Sequence, residues 1–339
     1  MGCSTQNSEV KPPPNQKNTI KGVDLSFLPQ INSYNPRLSD QGTTDDMLTL
    51  LMARGINTVR LRLWHSPNSS LSSFDEVSQF SREIKAQGLR LWLSVHYADS
   101  WADPGNQKLP QAWNNLNFTQ LKDSVYRYTQ RVMTLQPDII QVGNEINNGF
   151  LFPLGNRSKL ANFTSLLQTA TAAIRAESTT TKIMLHYAGY TGSLAFYNEM
   201  SAVDYDMIGL SYYPLWHGKS LETLASTLST LSAVNKPMVI AETSYPFTLA
   251  WQDQTHNVIG QEDQLILPTY PASPEGQFAF MQDLKTISTS LPLAFGFCYW
   301  GGEWIAYKGP NSTVGSTWEN QALFDFEGNG LKVLDVFGK

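Results

Sequence analysis

Residues 138–146 read DIIQVGNEI. A short run of isoleucine and valine ends at a glycine and an Asn-Glu pair, which predicts a buried strand with a polar end. Seven further runs of this kind flank it: 20–27 (IKGVDLSF), 56–64 (INTVRLRLW), 90–97 (RLWLSVHY), 182–188 (KIMLHYA), 206–213 (DMIGLSYY), 237–243 (PMVIAET) and 294–300 (AFGFCYW). Helical patterns fill the gaps. Residues 43–54 open with a Thr/Asp cap, place Met47, Leu48, Leu51 and Met52 on one side and stop at Gly55. Residues 74–87 stop at Gly88, and further helices are expected over 119–134, 158–177 and 275–289. Eight strand–helix units over about 320 residues predict an α/β fold, a single-domain (β/α)8 TIM barrel. The runner-up is a doubly wound sheet, which would show an early G-x-G-x-x-G phosphate turn; the chain has none.

Composition narrows the function. The 339 residues carry 24 Lys+Arg against 29 Asp+Glu, a net charge of −5 with no basic stripe, so no nucleic-acid partner is expected. No apolar run approaches the length of a membrane span. Aromatic residues make up 12%, with 9 Trp, which favours stacking surfaces. The two cysteines, Cys3 and Cys298, stand in a polar tail and a hydrophobic run, so neither a disulfide nor a zinc framework is expected.

Residues 1–18 (MGCSTQNSEVKPPPNQKN) are polar and Pro-rich and read as a disordered tether ahead of a catalytic barrel at 19–339. Gly2-Cys3 resembles the end of a bacterial lipobox. On that reading Cys3 carries lipid, membrane attachment runs through it, and the protein is a secreted or cell-surface lipoprotein.

In a barrel the chemistry sits where strands end at the C-terminal face. That rule yields Asp24, Arg60, Arg62, Trp64, His96, Tyr97, Asn144, Glu145, His186, Tyr212, Tyr213, Glu242, Trp300 and Glu303. Glu145 ends the fourth strand and Glu242 the seventh. Each follows an apolar run, where an unpaired carboxylate would be costly. Two glutamates facing each other across a barrel mouth suit cleavage of a glycosidic bond. One is protonated and donates to the leaving oxygen; the other is ionised and attacks the anomeric carbon or activates water. That route needs no metal.

Longer stretches carry a resemblance. KGVDLSFLP (21–29), INTVRLRLWHSP (56–67), VHYADSWADPGNQKLPQAW (95–113), QPDIIQVGNEINNGFLFPLG (136–155), DMIGLSYYPLWHG (206–218), VIAETSYPFT (239–248) and FCYWGGEWI (297–305) resemble glycoside hydrolase family 53, the endo-β-1,4-galactanases of clan A. The resemblance implies a retaining double displacement on pectic galactan or type I arabinogalactan. Glu242 is then the nucleophile and Glu145 the acid/base, with a raised pKa. Asn144 is expected to bond the sugar 2-hydroxyl, and Arg60, in preference to Arg62, to hold Glu242 ionised. Tyr212 and Tyr213 are neighbours, so one of them faces the nucleophile. His96 is expected to contact sugar hydroxyls or Glu145.

Sugar rings pack on indoles, so Trp300 is expected as the floor, with Trp64, Trp101 and Trp304 lining flanking subsites. Trp101 is the weakest of these, and Trp92, mid-strand, is expected in the core. Asp99 and Asp103 either bond outlying hydroxyls or cap their loop. In the long segment 249–268, Asp253, His256 and Asn257 could hold a structural Ca2+ of the kind expected in bacterial relatives, or the loop is held by its own hydrogen bonds. The partner is a polysaccharide and the protein a monomer. Other readings are a mannanase or xylanase of the same clan, or a non-catalytic surface glycan-binding barrel.

Overall fold

The computed structural model describes residues 19–338. The tether and the Cys3 reading lie outside the described residues. Eight parallel strands close into one barrel: β1 (Ile20–Asp24), β2 (Thr58–Leu63), β3 (Arg90–Val95), β4 (Ile139–Val142), β5 (Lys182–Ala188), β6 (Met207–Ser211), β7 (Met238–Thr243) and β8 (Ala294–Tyr299). β1 pairs with both β2 and β8, which completes the ring and excludes the open doubly wound sheet.

Each crossover carries one main α-helix: α1 (Met47–Ala53), α2 (Phe74–Ala86), α3 (Phe118–Met133), α4 (Leu160–Glu177), α5 (Ser193–Glu199), α6 (Leu221–Leu231) and α7 (Pro274–Ile287), with shorter helices over Leu28–Asn32 and Pro214–His217 ahead of α1 and α6. A 3-10 helix over Lys332–Phe337 packs beside α7 at the eighth position. The caps explain the starts. Asp46 accepts from the Thr49 amide, so α1 begins there, and Thr43–Thr44 pair with Ser39–Asp40 in a small hairpin instead of capping the helix. Asn117 and Gln120 form a reciprocal capping box on α3.

Inside the barrel, side chains alternate along each strand and change character with height. Toward the N-terminal ends, Ile20, Trp92, Ile139, Met184, Met207, Val239, Ala241 and Cys298 form a dry plug. Two residues further along the same faces stand polar groups: Ser94 above Trp92, Gln141 above Ile139 and His186 above Met184. Arg60 lies over the Trp92 ring at 5.6 Å.

Two register shifts interrupt this alternation. Leu210 pairs with Ile240, but the next residue, Ser211, pairs with Glu242. On the other side, Phe297 pairs with Ile240 and Tyr299 with Thr243. Both neighbours therefore see one extra residue on β7, a bulge between Ile240 and Thr243. The bulge lets Glu242 join the inward face, although Ala241 beside it already points there. A compensating irregularity lies on β8 between Ala294 and Phe297, around Gly296 with φ of 113°.

Candidate active site

The C-terminal mouth of the barrel holds a cleft of about 560 Å³. Its walls include Arg60, His96, Asn144, Glu145, Tyr213 and Glu242, and its aromatic surfaces are Trp101, Trp216, Trp300 and Trp318. Glu145 and Glu242 therefore face the same space.

Glu145 is placed by a strained turn after β4. Gly143 and Glu145 both adopt positive φ, 77° and 50°, the latter unusual for a residue with a side chain. A Cβ on Gly143 would stand 2.5 Å from the Ile146 Cγ2. The turn is clamped by Gln107, whose amide donates to the carbonyls of Asn144 (2.7 Å) and Glu145 (3.3 Å). The carboxyl Oε1 accepts from the Ser211 hydroxyl at 2.5 Å. Surrounding protein withholds water from this carboxyl, and the nearby Glu242 charge adds to the effect. Together they push its pKa up to about 8, against the pull of the Ser211 bond and Arg60.

Glu242 has the opposite surroundings. Its Oε1 meets Arg60 Nη2 at 2.7 Å, and its Oε2 accepts from the Tyr213 hydroxyl at 3.2 Å. Burial raises its pKa as well, but Arg60 is the leading opposing influence and Tyr213 assists it. Of the two glutamates, Glu242 ionises first and Glu145 holds the proton, which is the division of labour that acid-assisted displacement needs.

Arg60 ties these parts together. Its Nη1 bonds Asp24 at 2.6 Å, and its Nη2 reaches Asn144 Oδ1 and Ser94 Oγ at 3.0 Å each. Asp24 and Glu242 keep its charge in place despite full burial. Asn144 Oδ1 is thus occupied from below, by Arg60 and by the Gln141 amide at 3.0 Å. One Asn144 N–H goes to the Ala102 carbonyl at 2.9 Å, and an amide has a second to present to the cleft.

The geometry resolves the open choices. Arg60, not Arg62, contacts Glu242; Arg62 packs among Phe27, Trp64 and Trp101, 4.0 Å from the last ring's centroid. Tyr213 faces the nucleophile. Tyr212, also expected as a binding residue, points the other way, its ring buried and its hydroxyl donating to the Gly218 carbonyl at 3.0 Å. His96 lines the cleft with its Nδ1 accepting from the Ala102 amide, and the partner of Glu145 is Ser211 instead.

Several expected binding residues lie behind the surface. Trp64 is buried and meets the edge of Trp101 at 5.6 Å, and Trp304 stacks on Phe27 at 4.2 Å; neither lines the cleft. They support Trp101 and Trp300. Asp99 accepts from the amides of Ser66 and Gln111 and joins two loops, so it caps and does not face the cleft, whereas Asp103 does. Trp101, ranked last as a platform, is 39% exposed and forms cleft wall. Trp92 is in the interior plug.

The calcium reading finds no support. Both Asp253 carboxyl oxygens already accept backbone N–H groups, from Thr255 and Ser316. His256 is exposed and packs against Trp251 at 5.0 Å. The Asn257 amide donates to Glu319, and its Oδ1 lacks a partner, but one oxygen makes no site. Among the described residues no group of three or more His, Cys, Asp and Glu could hold a metal ion. The segment is tied instead to residues 312–320, chiefly through Glu319, which accepts from the amides of Gln252 and Asp253.

The sequence reading missed Ser211, Gln107, Gln141, Trp216, His217 and Trp318 as site residues, and left His186 without a role. A usable signal existed for Gln141 and Ser211: each is a polar residue at an inward position of an otherwise apolar strand.

Residues 20–337 match the sequence model described as "Glycosyl hydrolase family 53". The chain is 37% identical over 338 residues to the Niallia circulans "Uncharacterized protein in bgaB 5'region", covering 92% of each. It is 33% identical over 328 residues to the Cellvibrio japonicus "Arabinogalactan endo-beta-1,4-galactanase", covering 90% of this chain and 86% of that one. Among solved structures, the "Ignisphaera aggregans GH53 catalytic domain" superposes with a TM-score of 0.88 at 34% identity, over 96% of this chain and 97% of that chain.

Proposed function

The chain belongs to glycosyl hydrolase family 53 and is a glycoside hydrolase, and from that premise we propose that it cleaves β-1,4-galactosidic bonds within galactan or type I arabinogalactan. One observation carries the reading: two glutamates share a cleft, one kept protonated by its surroundings and the other held by Arg60 and Tyr213. The Cellvibrio japonicus relative, whose printed name is that of an arabinogalactan endo-β-1,4-galactanase, supports the substrate.

The reaction is a retaining double displacement. Glu242 attacks the anomeric carbon while Glu145 gives its proton to the departing glycosidic oxygen, and a glycosyl ester forms on Glu242. Once esterified, Glu242 carries no charge, so the pKa of Glu145 falls and it accepts a proton from the incoming water. Water adds to the anomeric carbon, the ester bond breaks and Glu242 leaves as a carboxylate. Trp300 and Trp101 give the sugar faces apolar surfaces, and the second Asn144 N–H is placed for a sugar hydroxyl. No cofactor enters.

A polymeric substrate favours action outside the cell, in pectin breakdown, with Cys3 as a lipid-bearing anchor. Intact-mass analysis of the membrane-extracted protein tests that anchor. The enzymatic reading is tested by chromatography of digests of β-1,4-galactan, mannan and xylan, with Glu242→Ala beside the parent. Oligosaccharides from galactan alone, lost in the variant, are expected. Release from mannan or xylan in preference would make it another β-glycanase, and unchanged hydrolysis by Glu242→Ala would remove Glu242 from the mechanism.

A further inference from the structure

Beneath Glu145 lies a chain of buried polar groups that the reaction above does not use. Ser211 Oγ stands 2.5 Å from Glu145 Oε1 and 3.0 Å from His186 Nε2. On the far side of the imidazole, His186 Nδ1 faces the Gln141 side-chain amide at 3.0 Å and the Glu145 backbone N–H at 3.4 Å. Asn144 Oδ1 is also near, at 3.2 Å. That oxygen already accepts from Arg60 at 3.0 Å, and the Gln141 nitrogen, with two hydrogens, also stands 2.9 Å from Ser94 Oγ and 3.1 Å from the Gly143 carbonyl.

These contacts determine the tautomer. The Glu145 backbone N–H is fixed in direction and is aimed at Nδ1, which therefore accepts and is the unprotonated nitrogen. His186 and Ser211 are both completely buried. Burial and the neighbouring Arg60 and His217 hold the imidazole neutral. The single ring proton is therefore on Nε2 and points at Ser211 Oγ. The serine hydroxyl, accepting there, has its own hydrogen left for Glu145 Oε1.

We propose that Ser211 and His186 are positioning residues that commit Glu145 Oε1 to accepting a hydrogen bond, so that the transferable proton is carried on Oε2 and the carboxyl plane is fixed. This inference rests on the acid/base role given to Glu145 above. In glycosylation the O–H bond at Oε2 breaks and the proton passes to the glycosidic oxygen, leaving a carboxylate whose Oε1 still holds the Ser211 bond. In deglycosylation the same Oε2 takes a proton from water. Neither Ser211 nor His186 gains or loses a proton in the cycle. The other charged groups acting on Glu145 are Glu242, Arg60 and Asp103, and the Tyr213 phenol lies close. None of them takes the place of the Ser211 hydroxyl at Oε1.

The test uses the full chain with 13C-labelled glutamate carboxyls and 15N-labelled histidine, titrated by NMR without substrate; Glu145→Gln assigns the signal. Ser211→Ala is expected to raise the Glu145 pKa by about one unit, because a donor to the charged form is lost. Ser211→Thr, which keeps the hydroxyl, is expected to leave it unchanged. His186 is expected as the neutral Nε2–H form across pH 5–9. On galactan, Ser211→Ala is expected to lower kcat about tenfold with KM within about twofold, and to shift the basic limb of the pH profile upward. An unmoved Glu145 pKa in Ser211→Ala, or an Nδ1–H tautomer at His186, overturns the proposal. Failure of the parent to cleave galactan overturns the functional reading instead, since the titrations need no substrate.

Discussion

Tyr212 and Tyr213 are adjacent, chemically identical and opposite in consequence. Tyr213 donates to the Glu242 carboxylate, whereas the buried Tyr212 ring carries its hydroxyl to the carbonyl of Gly218, an exposed residue. A hydrogen bond to a charged group contributes about 1.5–3 kcal/mol, and a neutral one about 1. Tyr213→Phe is therefore expected to lower kcat by about 10- to 100-fold with little loss of stability. Tyr212→Phe is expected to leave kcat unchanged and to lower the unfolding free energy by about 1 kcal/mol. Steady-state kinetics and urea unfolding on both variants check the contrast; exchanged effects would reverse the assignment. Glu145 supplies a second residue-level expectation. It must be protonated for the first step, so kcat/KM falls as pH rises through about 8. In Glu145→Gln that basic limb disappears and turnover of galactan falls by about 10²–10⁴.

At the scale of elements, the barrel was legible because each strand is a short apolar run with a polar end, and all eight of them were found. Two crossover helices, α5 and α6, were not anticipated. α5 has only seven residues, and its preceding Gly192 offers no side-chain cap. The site was legible where alternation holds. Arg60 and Arg62 share a face of β2, and partners alone separate them: Arg60 meets Asp24 and Glu242, while Arg62 meets three aromatic rings. Glu242 was found for a reason that alternation does not supply. Counting by twos from Val239 and Ala241 would turn it out of the barrel, and the bulge brings it in. Gln107 escaped notice because a glutamine in a loop looks ordinary until the carbonyls it serves are placed. The irregularity on β8 depends on Gly296, where a Cβ would stand 2.0 Å from the Ile20 carbonyl oxygen and φ is 113°. Gly296→Ala is expected to destabilise the barrel by about 2–4 kcal/mol, measurable by denaturant unfolding; a loss under 0.5 kcal/mol would show that the closure between β8 and β1 tolerates a side chain.

For the whole molecule, the concentration of buried ionisable groups at the barrel mouth sets the response to pH. Burial holds Glu145 and Glu303 up to about 8, and Glu303 keeps one oxygen on the Phe27 amide while the other has no partner. His96, His186 and His217 are shifted the other way, below the ordinary histidine value, again by burial first. A raised carboxyl binds its proton in the folded chain but not in the unfolded one, so its contribution is complete at low pH and is lost as pH rises through about 8. A depressed histidine contributes above about 6.5 and loses that contribution as pH falls. Below about 6.5 the two tendencies oppose each other, and above it only the carboxyls act. Unfolding free energy is therefore expected to decline between pH 6.5 and 8, with a shallower decline in Glu303→Gln. A flat or rising profile in urea titrations would contradict this. The same mouth carries the central claim, that Glu242 forms a covalent sugar ester which water then opens with help from Glu145. The most direct measurement is 1H NMR of the anomeric protons during the first minutes of galactan hydrolysis, before mutarotation. The account predicts that newly released reducing ends are β; initial release of the α anomer would contradict it.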